Sequence, residues 1–177
     1  MKTQVRVTLA CLASIFVMGT VSAQQQQPPA PPPEASQFDF WIGEWEVTQP
    51  NGKVAGYNSI VSVNGGRALL ENWTSAAGNF AGKSLNSYDA VAKKWKQFWV
   101  DTGGSVLELS GGIVDGKMVL AGRSITAAGG EMQQRITWTP NEDGSVRQHW
   151  EQSSDGGTTW QTAFDGHYVK KATPAQS

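Results

Sequence analysis

The sequence predicts an all-β fold: a single antiparallel meander of about ten strands, closed into a β-barrel. Three observations carry that prediction. Turn signals recur at nearly even spacing from residue 50 to residue 157. The segments between them alternate apolar and polar residues, and no segment shows the apolar stripe and caps of an amphipathic helix.

Residues 1–23 read as a secretory signal. Lys2 and Arg6 form the positive start, Val7 to Val21 is apolar or small, and Val21-Ser22-Ala23 offers small residues for cleavage. The chain is thus expected to be exported, periplasmic or extracellular, with no stable membrane insertion once the signal is removed. Cys11, the only cysteine, falls inside the signal, so the mature chain is expected to have neither disulfides nor thiol chemistry. Residues 24–37 are Gln- and Pro-rich and hold almost nothing apolar to bury; they read as a disordered, semi-rigid linker. The barrel is assigned to 38–171 and a disordered tail to 172–177.

Charge excludes one class of partner. The chain carries 14 basic and 15 acidic residues, and two of the basic ones lie in the signal. The rest are scattered, with Lys93, Lys94 and Lys96 the one cluster, so no basic face is available for nucleic acid.

The first strand follows the aromatic stretch Phe38-Asp39-Phe40-Trp41 and runs through Gly43, Trp45 and Val47. Trp45 is expected to floor one end of the barrel. Phe38, Phe40 and Trp41 are expected to plug that end, with Gly43 turning the chain into the strand. Nine turns then follow: Pro50-Asn51-Gly52, Asn64-Gly65-Gly66, Ala77-Gly78-Asn79, Asp89 to Lys93, Thr102-Gly103-Gly104, Asp115-Gly116, Gly129-Gly130, Asn141 to Gly144, and Asp155-Gly156-Gly157. Asn-Gly and Asp-Gly supply the positive φ that tight hairpins need. Between turns, alternation puts Leu69, Glu71 and Trp73 on one face, and likewise Trp95, Gln97 and Trp99. Met132, Gln134, Ile136 and Trp138 share a face, as do Val146, Gln148, Trp150 and Gln152. The last strand groups Trp160, Thr162, Phe164, Gly166 and Tyr168. One apolar face per strand with short connections means a sandwich or a barrel; the meander favours the barrel, and closure removes exposed edges.

Gly43-Glu44-Trp45 resembles the Gly-x-Trp signature of the lipocalin and calycin group. The fuller opening, Phe38 to Trp45, resembles a family of exported bacterial calycin-like domains of unknown function. So do the endings Trp150 to Trp160, with one extra residue at Gln152, and Phe164 to Tyr168. The resemblance implies a calycin/lipocalin-like barrel over nearly the whole mature chain and brings no catalytic residues. Nitrobindin-like ten-stranded barrels bind haem through a histidine, but His149 and His167 each alternate with charged residues and read as solvent-facing.

Other constellations point away from catalysis. Ser153-Ser154-Asp155-Gly156-Gly157-Thr158-Thr159-Trp160 fits an Asp box, a hairpin in which Ser and Asp cap turn amides; its single occurrence excludes a propeller. Glu44 and Glu46 share the face opposite Trp45 and read as exposed. No nucleophile elbow, phosphate loop or close histidine pair is present, so no catalytic, metal or cofactor site is expected. The informative set is the inward face. Glu71, Trp73, Trp95, Gln97, Trp99, Gln134, Trp138, Gln148 and Trp150 combine large rings with amides and one carboxylate, and inward polar groups cost about 1–3 kcal/mol each when left unpaired. We read them as lining a mainly aromatic cavity for a small hydrophobic or amphipathic ligand. A hydrogen-bonded or water-filled interior, a haem-binding nitrobindin-like barrel with His167 as the better candidate ligand, an enzyme built on the same cavity with Glu71 as its acid, and an envelope interaction module on the proline-rich tether are the competing readings.

Overall fold

The computed structural model describes residues 29–171. The signal assigned to 1–23 with Cys11, the start of the linker and the tail at 172–177 lie outside the described residues. Ten strands run in chain order: β1 (Gly43–Thr48), β2 (Val54–Val63), β3 (Ala68–Ser75), β4 (Ala81–Asp89), β5 (Lys94–Asp101), β6 (Val106–Val114), β7 (Lys117–Ile125), β8 (Glu131–Pro140), β9 (Val146–Ser153) and β10 (Gln161–Lys170). Each pairs antiparallel with its neighbours in sequence, and β1 pairs with β10, which closes the barrel. The seam sets Trp45 opposite Lys170 and Val47 opposite Tyr168. All nine predicted turns connect strands. The tightest, between β6 and β7, has Asp115 at φ 48° and Gly116 at φ 75°, the paired positive angles of a type I′ hairpin.

Two ends of the barrel differ. At one end, short 3-10 turns at Pro33–Ser36 and Asp39–Trp41 carry the chain over the opening and into β1. Phe38 and Trp41, both fully buried, stack at 4.9 Å between centroids. Phe38 also meets Trp95 and Trp138 edge-on at 5.6 and 5.1 Å. Trp45 is fully buried, donates its indole N–H to the Trp41 carbonyl at 2.9 Å and meets Tyr168 edge-on. Met118, fully buried, stands opposite Trp138 in the β7–β8 register. Edge-on and stacked ring pairs each add about 0.5–1.5 kcal/mol beyond area burial, so the ring cluster holds this end together.

Two sequence expectations are corrected. The linker was expected to run to residue 37, but its last residues belong to the folded body. Ala35 is buried, Arg67 donates to the Pro29 carbonyl, and Pro31 lies against Gly66. Thr162 on β10 and Trp160 just before it do not face inward. The β9–β10 register shifts between Thr162 and Phe164, so Ala163 is an extra residue and the alternation resets. Thr162 pairs with Glu151 on the outer face and its hydroxyl lies 3.0 Å from the His149 ring, while Trp160 sits under the Arg135 guanidinium at 4.0 Å.

Candidate functional site

The other end of the barrel holds a cavity of about 460 Å³. Its mouth is framed by Gln49, Phe80 and Ser105 from the connections of three hairpins, and by Ala163 at the β10 bulge. Its walls are aromatic: Trp73 on β3, Trp99 on β5, Trp150 on β9, Phe164 and Tyr168 on β10. Glycines make the rings fit. A Cβ on Gly82 would stand 2.1 Å from the Trp99 ring and one on Gly56 2.7 Å from the Trp73 ring, so each indole lies across the bare backbone of the adjacent strand. Phe164 meets Trp73 edge-on at 5.9 Å. The indole N–H groups are tied to the walls: Trp99 donates to Asp101 at 3.1 Å and Trp150 to Gln134 at 2.7 Å.

Below the rings lies a polar floor. Glu71 on β3 is almost wholly buried and accepts from Asn58 on β2 at 2.8 Å and from Ser84 on β4 at 2.5 Å. Behind Ser84, Asn86 donates to the serine oxygen at 2.8 Å, and Gln97 donates to Asn86 at 2.9 Å. Gln97, Asn86 and Ser84 therefore form a chain of donors that all point toward the carboxyl group. On the far side Tyr168 accepts from Asn58 at 3.4 Å and donates to Gln148. Burial pushes the Glu71 carboxyl up to about 7, against the pull of the Ser84 and Asn58 hydrogen bonds. Burial, and then the charge of Glu71, push the Tyr168 hydroxyl well above its ordinary value. At the mouth, partial burial works to raise Asp101, but hydrogen bonds from Trp99 and from the Ser105 and Gly103 amides outweigh it and hold the group below the usual carboxylate range.

Of the nine residues expected to line a cavity, Glu71, Trp73, Gln97, Trp99, Gln148 and Trp150 do so together. Gln134 stands behind the wall, gripping Trp150 and accepted by Ser124 at 2.8 Å. Trp95 and Trp138 do not line it; both are fully buried in the plug. Alternation in sequence identifies the inward face but not the height along the barrel axis, and these two residues lie at the filled end. Phe80, Asp101 and Phe164 line the cavity without having been singled out as ligand-binding. Phe80 and Asp101 sit at turns, where period-two patterning lapses, whereas Phe164 was placed on the inward face but not singled out.

The remaining motifs are structural. In the Asp-box hairpin, Ser153 accepts from the Gly157 amide at 2.8 Å and Asp155 from the Thr159 amide at 2.9 Å, while the Trp160 indole donates to the Gly157 carbonyl. His149 and His167 lie on the outer face, His149 beside Glu151 at 3.7 Å, so neither reaches the cavity. Among the described residues, no three histidine, cysteine, aspartate or glutamate side chains converge as a metal-binding group. No family model matches this chain, and no curated protein matches it either.

Proposed function

We propose that the protein is an exported, calycin-like barrel that binds a small hydrophobic or amphipathic molecule without converting it. The observation that supports this reading best is the cavity itself. It has the size of a small-molecule site, is walled by rings held in place by glycines, and ends on a few placed polar groups. Trp73, Trp99 and Trp150 supply contact area at low entropic cost, since the N–H groups of Trp99 and Trp150 and the ring faces of Trp73 and Trp99 are already fixed by the wall. Glu71, Gln97 and Gln148 orient the polar end of the guest. Export rests on residues 1–23, and cleavage after Ala23 leaves Gln24 as the first residue.

Titration with a neutral apolar fluorophore such as Nile red, followed through quenching of the cavity tryptophans, tests the binding reading. One saturable site per chain is expected. An absence of both saturation and quenching overturns it. The mass of the secreted chain tests export separately, with the loss of residues 1–23 as the expected result.

A further inference from the structure

The geometry points to a ligand with a cationic head group, an organic ammonium whose apolar part lies among the rings and whose charge meets Glu71. This inference rests on the binding reading above and names the class of guest.

Charge inside the cavity is one-sided. The residues that line it include Glu71 at the floor and Asp101 at the mouth, and no lysine, arginine or histidine. Ion pairs elsewhere, among them Arg135–Glu151 and Arg147–Asp165, lie on the outer surface, and among the described residues Glu71 belongs to none. A buried carboxylate without a countercharge is costly unless something cationic arrives to share its site. Here the protein supplies neutral donors alone.

The polarity of the hydrogen bonds distinguishes a cationic guest from a neutral one. A protonated Glu71 would serve a ligand carbonyl by donating to it. Yet both carboxyl oxygens accept, Oε1 from Asn58 and Oε2 from Ser84, and the Ser84 oxygen already accepts from Asn86. Each link in that chain stabilises the anion and disfavours the acid. Burial raises the carboxyl to about 7 in spite of those bonds, and no basic residue among the cavity-lining residues offsets it. Above the floor stand Trp73, Trp99 and Trp150, the ring type that attracts cations most strongly, and desolvation by the barrel walls strengthens that attraction. Carboxylate and indole faces together define an ammonium site; an anionic guest would meet two carboxylates and no positive charge.

Three probes of one chain length decide it: octyltrimethylammonium, octanol and octanoate, each titrated by calorimetry at about pH 8 with Nile red as the neutral reference. The ammonium is expected to bind at least about tenfold tighter than the alcohol, and octanoate most weakly. In Glu71→Gln the ammonium-to-alcohol ratio should fall to near one. Equal affinity for alcohol and ammonium, tighter octanoate, or a preference that survives Glu71→Gln overturns the inference while Nile red binding keeps the cavity reading intact. If Nile red and all three probes fail to bind, both fall together. The wild-type series decides by itself should the variant not fold.

Discussion

Trp99 lies across the backbone of Gly82 on the neighbouring strand, so closely that a single added methyl would come within 2.1 Å of its ring. The aromatic wall of the cavity is therefore built from pairs, one bulky residue and one bare residue, set diagonally across two strands.

Gly82→Ala should force the indole off the wall. A loss of about 1–3 kcal/mol is expected, the usual cost of overpacking, together with weaker Nile red binding as Trp99 moves into the cavity. Gly112→Ala is the comparison, since a Cβ there meets nothing within 4 Å. Urea unfolding of both variants is the measurement. Equal effects at the two positions would refute the pairing.

Glu71 makes stability depend on pH. Its carboxyl rises from an ordinary 4.5 to about 7 on folding. Between those values the folded state keeps a proton that the unfolded chain has lost, so stability falls as pH rises through the window. The contribution is fully present below about pH 4.5 and gone above about pH 7, a change of about 3 kcal/mol. The groups facing Glu71 from β2 and β4 are the non-titrating Asn58 and Ser84. Tyr168 on β10 titrates far above this range. Denaturation of wild type and Glu71→Gln at several pH values should give a stability difference that grows with pH across this window. Parallel curves would show that the folded carboxyl is not protonated there.

Trp45→Ala should cost about 3–5 kcal/mol, because a fully buried indole and its bond to the Trp41 carbonyl are both lost. Trp160→Ala, at the half-exposed outer hairpin, should cost clearly less. Comparable losses in thermal or urea unfolding would contradict the assignment of Trp45 to the plug.

Asp155 acts locally. Hydrogen bonds from the Thr159 side chain, the Thr159 amide and Ser153 hold its carboxyl far below the usual range, so its contribution is present above about pH 4 and is lost as pH falls. Asp155→Ala should speed hydrogen exchange at the Thr159 amide while leaving Ile136 and Leu120, deep in the sheet, protected. Unchanged exchange at Thr159 would mean that the aspartate does not hold the turn.

The strand count and the inward faces could be read from the sequence because hairpin turns need particular residues and because the alternation of a half-buried strand is written into its side chains. Glu71, Trp73, Gln97 and Trp99 were legible for that reason. Height along the axis was not, since Trp95 and Trp99 belong to one face of one strand yet one fills the plug and the other walls the cavity. Thr162 was misplaced because one extra residue at Ala163 resets the phase, and neither alanine nor its neighbours carry a bulge signal. The roles of Gly56 and Gly82 depend on which indole lies across the strand pair, which is a matter of register and becomes visible only once the sheet is assembled.

The β1–β10 seam bears on how such a chain comes into being. β1 gains β2 as a partner early in synthesis, but its other edge can be satisfied only by residues 167–170. Until then the sheet has two unpaired edges and an uncovered apolar face, the state most open to mispairing. Completion is thus a late, non-local event and a slow one for a protein of this size. A chain stopped before β10 would be an open sheet with no interior at all, so the cavity comes into existence in a single step, with the arrival of the last strand.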